Sequence, residues 1–154
     1  MAYDANVSAD IYIKQLEEKH QGTISNRFLS LFYGDTAKNI REHGVFMYQI
    51  GSTLFFEDFE YKSAILGIKV ESREPYVKFE GSIDIKDIES VTKVSKGRAL
   101  RYCKGKTKKT GRRGIFNFLF GETVLMLNFK SREPVFIQVP LKLINNVINS
   151  VKEQ

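Results

Sequence analysis

The sequence predicts an α+β fold: a helical segment at the start, about seven antiparallel strands, and one helix closing the chain. Three observations carry this expectation. From Val45 onward, short runs of alternating apolar residues are separated by Gly, Pro and polar turn residues. After Pro140, residues Leu141, Ile144, Val147, Ile148 and Val151 form one apolar stripe at helical spacing. Before residue 45 the punctuation is that of helices, with capping residues ahead of apolar runs and glycines behind them. A chain of 154 residues, 42% hydrophobic and 27% charged, is one domain's worth of sequence with enough apolar material for a core. Twelve Phe and seven Tyr without a single Trp favour strands.

Taken in order, Ser8 caps a helix running to His20, and Gly22 stops it. Phe28, Leu29, Leu31 and Phe32 share a helical face, which predicts a second helix ending at Tyr33-Gly34. Asp35 caps a third, DTAKNIREH, with Gly44 in the left-handed position past its end, which makes three short helices, or two with a fragment between them. Residues 1–44 thus form a helical extension and residues 45–154 a β domain. In the latter, VFMYQI and LFFEDFEY flank the hairpin turn Gly51-Ser52-Thr53. AILGIKV, YVKFEG and SIDIKDIESVTKV follow as strands. IFNFLF and TVLMLNF alternate about Gly121-Glu122, which predicts a hairpin with a type II′ turn. The tetrapeptide SREP occurs at 72–75 and again at 131–134. Each copy reads as a hairpin turn with its Pro at the start of the next strand.

Two stretches resemble a known family. Ser82-Ile83-Asp84-Ile85-Lys86-Asp87-Ile88-Glu89-Ser90-Val91 is similar to the strand-turn-strand of bacterial pleckstrin-homology-like and GRAM-type domains. VFIQVPLKLINNVINSV resembles their last strand and capping helix. The resemblance covers residues 45–152 and implies a PH-like antiparallel β-barrel or sandwich of about seven strands with a C-terminal capping helix. Lipid-binding members of that family cluster bases between their first two strands. Here that turn is Gly51-Ser52-Thr53, the nearest following base is Lys62, and Glu57, Asp58 and Glu60 lie on the second strand. The family's usual phosphoinositide site is therefore not expected at its usual place. Related phosphotyrosine-binding domains present a peptide groove between strand and helix, which the resemblance extends to this chain.

The charge is local. Residues 93–114, KVSKGRALRYCKGKTKKTGRRG, hold ten of the 24 Lys and Arg and no acid. The other 132 residues keep 14 bases against 18 acids, a net of −4, so the formal +6 belongs to this stretch. Read as a loop, it offers Arg98, Arg101, Lys104, Lys106, Lys108, Lys109, Arg112 and Arg113 to an anionic partner. An acidic membrane is the leading expectation, because Ile115 and Phe116 follow at once and can enter the interface if they sit at the loop tip. If they begin a strand, they are core. A nucleic acid is the second partner class, with Tyr102 as its one stacking ring, although the rest of the chain offers no broad basic face. An acidic protein is the third, and a solvated extension that aids solubility needs no partner at all.

Catalysis is not expected. His20 and His43 read as helix-end residues and lack metal-ligand spacing. Lys104-Gly105-Lys106-Thr107 imitates the end of a P-loop, but Leu100 stands where its first Gly belongs. Cys103, the single cysteine, lies among Arg101, Lys104 and Lys106 without a partner thiol or base, and is read as incidental. No cofactor, metal or small-molecule substrate is called for. With no signal-peptide pattern and no apolar run of membrane-spanning length, a cytoplasmic protein, peripheral at the membrane, is expected. The sequon Asn6-Val7-Ser8 is then accidental.

Overall fold

The computed structural model describes residues 9–33, 42–58, 64–65, 68–69, 78–105 and 122–152. Helix α1 (Ala9–His20) leads into strands β1 (Ile24–Tyr33), β2 (Glu42–Ile50) and β3 (Thr53–Asp58). A small hairpin, β4 (Ala64–Ile65) with β5 (Ile68–Lys69), precedes β6 (Glu80–Asp84). A 3₁₀ turn at Ile85–Asp87 joins β6 to β7 (Ile88–Ser95), and α2 (Lys96–Cys103) follows. Strands β8 (Thr123–Phe129) and β9 (Val135–Gln138) lead into α3 (Leu141–Lys152).

Seven strands form one antiparallel sheet in the order β6-β3-β2-β1-β9-β8-β7. It consists of two meanders, β1-β2-β3-β6 and β7-β8-β9, sewn together where β1 pairs β9 from Leu31↔Gln138 to Tyr33↔Phe136. The two edge strands are consecutive in the chain. In a flat sheet they would lie about 29 Å apart, six spacings of about 4.8 Å. The four-residue step from Asp84 to Ile88 spans at most about 14 Å. The sheet therefore curls until its edges approach at the 3₁₀ turn, where Asp84 caps Lys86 N–H at 3.0 Å and Ile85 N–H donates to Ser52 O at 2.8 Å.

Curling gives the sheet a concave face that needs a lid. Phe32, Met47, Leu54, Phe56, Ile83, Leu127 and Ile137 line it, and α3 closes it with Ile144 and Val147, both nearly inaccessible. The buried Gln49 ties the lid down: its amide donates to Ser150 Oγ of α3 at 2.9 Å and to Gly51 O at 2.8 Å, while its oxygen accepts from Asn26 at 2.7 Å. The helix predicted from the 141–151 stripe is thus present, with its stripe inward. Gly51, at φ 58°, makes the β2–β3 turn, as the sequence predicts. The second SREP copy turns β8 back onto β9, with Pro134 just ahead of Val135.

Several expectations are corrected. The 28–32 run is strand β1, not a helix: Phe28 and Phe32 face the concave core while Leu29 and Leu31 take the convex side. Residues 42–44 belong to β2, so Gly44 and His43 are strand residues and not a helix end; the rest of that predicted helix lies outside the described residues. AILGIKV is not one strand, since its ends fold back as β4 and β5. The hairpin about Gly121-Glu122 is excluded over Leu125–Leu127, where β7 and β9 occupy both edges of β8. Finally, 96–103 is helix rather than loop. The first SREP copy and residues 106–121 lie outside the described residues.

Candidate functional site

Among the described residues, two helices lie on the convex face of the sheet, and each gathers polar residues. Helix α2 begins where β7 ends. Ser95 is its N-cap, accepting from Arg98 N–H at 3.4 Å. Ala99 is buried against Tyr33, Val94, Val124, Met126 and Phe136, with Leu100, Tyr102 and Cys103 packed around that cluster. The opposite side carries Gly97, Arg101 and Lys104, spaced i, i+4, i+7 and all exposed. Lys104-Gly105, the P-loop look-alike, is the helix stop: Lys104 N–H bonds Leu100 O at 3.0 Å, and Gly105 at φ 64° donates to Tyr102 O at 2.9 Å.

Acids fasten this helix at both ends. Lys96 pairs with Glu122 at 2.8 Å, lies 5.6 Å from the centre of the Tyr33 ring, and its N–H donates to Glu122 O at 2.9 Å. Tyr102 donates a short hydrogen bond to Glu133 and packs against Phe136 at 5.5 Å. That bond, followed by burial, pushes the Tyr102 phenol up to about 12. Lys96 is thus neutralised locally, and the Tyr102 ring has a structural use, which weakens its expected use as a stacking platform. Arg98 is half-buried and engaged, whereas Arg101 and Lys104 make no ion pair among the described residues. Lys106, Lys108, Lys109, Arg112, Arg113, Ile115 and Phe116 lie outside the described residues. Cys103 is partly buried and packs on the convex cluster.

Helix α1 covers β2 and β3 differently. Beneath it, Phe46, Tyr48 and Phe55 form a stacked row with centroids 5.6 and 5.5 Å apart. Tyr12 and His20 lie on this row, and Leu16 is buried. At its edge Glu57 is only 2% exposed, accepting from Tyr12 on one oxygen and from Lys78 at 2.7 Å on the other, with Lys19 at 3.9 Å. Lys78 and Lys19 also reach Glu80, at 3.0 and 3.6 Å. Burial alone would lower the Lys78 ammonium, but the hydrogen bonds and charges of Glu57 and Glu80 together raise it. The Lys78 hydrogen bond likewise draws Glu80 down.

His20 does end a helix, as expected, and its Nε2 lies 3.0 Å from Tyr48 Oη. Burial first, then Lys19, lowers its pKa, and burial, then Glu57 and Glu80, raises that of Tyr48. Every oxygen of Glu57 is engaged, so this cluster is a clamp on α1 rather than an open site. Sequence reasoning missed it because a lone Glu in TLFFED reads as a solvent-facing residue. No cluster of three His, Cys, Asp or Glu able to hold a metal occurs among the described residues. Within the same residues, no helix is long and apolar enough to cross a membrane. No protein-family model matches the chain, and no curated protein matches it either.

Proposed function

We propose that the protein is a non-enzymatic binding module of pleckstrin-homology-like architecture whose basic stretch, from α2 onward, contacts an anionic membrane. One observation carries the reading: all the net positive charge of the chain falls within 93–114, and α2 mounts the first part of it with the apolar side inward and Arg101 and Lys104 outward. A seven-strand antiparallel sheet with a C-terminal helix as lid supports this architecture, although its strand β1 precedes the residues 45–152 that carry the family resemblance. Each base held near an acidic bilayer contributes about 1 kcal/mol. Half of the ten would then give several, enough for reversible recruitment. The structural engagement of Tyr102 favours this partner over a single-stranded nucleic acid, which needs free stacking rings.

The test is a competition at fixed salt. Vesicles of phosphatidylcholine with phosphatidylserine are titrated with protein, and unlabelled RNA is then added. Binding that RNA barely displaces supports the membrane. Tight RNA binding with little vesicle association reverses the assignment, and failure of both directs the search to an acidic protein.

A further inference from the structure

We propose that the strip of convex sheet between α1 and α2, centred on Leu29, is the surface that enters the acidic bilayer. This rests on the membrane reading above and gives it a location and an apolar anchor. Leu29 is 71% exposed although it sits in the middle of a paired strand. A lone surface leucine needs no explanation, but Leu29 has apolar company on both sides. Its partner across the ladder is Phe46, half-buried and packed with Tyr12 and Tyr48. Leu31, one step along the same face, packs on the cluster that α2 covers. Ile11, in the first turn of α1 beside Tyr12, is 50% exposed. The apolar strip thus runs from Phe46, beneath Tyr12 of α1, through Leu29 to Leu31 beside the α2 cluster.

The charges around the strip identify its occupant. Strand β1, ISNRFLSLFY, contains no acid, and Arg27, on the same face as Leu29, is exposed. Helix α2, KGRALRYC, contains no acid either and presents Arg101. On its β1 and α2 side the strip is apolar with only cationic neighbours, whereas its α1 side is mixed, with exposed Asp10 and Lys14. It is the β1 and α2 side that fits a layer negative outside and apolar beneath. The leucine then passes below the headgroups while the arginines remain among them. A second copy of the chain fits poorly, because a two-fold contact here would oppose like charges.

The chain has no Trp, so Leu29→Trp introduces a single reporter at an exposed position. On vesicles of phosphatidylcholine and phosphatidylserine, its emission should shift to the blue and be quenched by brominated acyl chains. Leu29→Ser should weaken partitioning about tenfold, the worth of burying one leucine, with an unchanged Tm. Vesicle binding with an unshifted, unquenched indole, or Leu29→Ser partitioning like the unaltered chain, overturns the strip and leaves the basic-stretch reading standing. No vesicle binding by the unaltered chain overturns both.

Discussion

The two helices on the convex face are docked by opposite means. Helix α1 turns its polar groups inward: Tyr12 and Lys19 converge with Lys78 on the buried Glu57, and His20 meets Tyr48. Helix α2 turns apolar groups inward around Ala99 and keeps Arg101 and Lys104 in solvent. Charge that is consumed by the fold is unavailable to a partner, whereas charge held outward on a docked helix costs the fold little and stays available. On this ground the α1 side is read as structure and the α2 side as function.

The sharpest way to break the comparison is to remove the inward charge. Glu57→Ala leaves Tyr12 without its acceptor and Lys78 with Glu80 alone, and should cost about 2–3 kcal/mol in urea unfolding; a loss below about 1 kcal/mol would mean the clamp is dispensable. Tyr102→Phe removes the fastening of α2 to Glu133 and should cost about 1 kcal/mol at neutral pH. Because the folded phenol lies at about 12 against 10.0 for a free tyrosine, its contribution is full below pH 10.0 and disappears as pH rises through 12. The variant should therefore lose less stability over that alkaline range than the unaltered chain. Gln21→Gly should stabilise by about 0.5–1 kcal/mol, because Gln21 holds φ 52° at the C′ position of α1, a conformation that favours glycine.

A smaller effect concerns His20. Its folded pKa is lowered by burial first and by Lys19 next, so its contribution is complete above pH 6.5 and lost as pH falls through the folded value. His20→Phe keeps a ring on Phe55 and should flatten the fall of Tm below pH 6.5. An unchanged slope would place the acid sensitivity elsewhere, Glu80 being one candidate, whose carboxylate form Lys78 stabilises so that its contribution is lost only in more acidic solution. Arg101→Ser with Lys104→Ser, the smallest of these changes, should alter stability by no more than about 0.5 kcal/mol.

How much of this was legible in the sequence depends on how many faces each element buries. Helix α3 covers one surface, so its stripe 141–151 reads directly, and the β2–β3 hairpin announces itself through Gly51. Strand β1 buries Phe28 and Phe32 inside while Leu31 and Tyr33 meet the α2 cluster outside. Its alternation is erased, and 28, 29, 31, 32 mimics a helical stripe. Strand β8 is buried on both faces from Val124 to Leu127 and taken on both edges, which hid its partners. Helix α2 was masked by its own charge, although Ser95 ahead of Ala99, Leu100, Tyr102 and Cys103 carries a cap and an apolar face. The Glu57 clamp has no local signature, because its partners lie 45 residues before it and 21 after it.

The central claim is that the outward charge of the basic stretch holds the protein on an acidic surface. Its most direct test is vesicle partitioning of a variant with Arg101, Lys104, Lys106, Lys108, Lys109, Arg112 and Arg113 all changed to Ser, beside its Tm. The account predicts that association with phosphatidylserine vesicles is abolished while the Tm stays near that of the unaltered chain. Vesicle binding that survives these seven changes would contradict it.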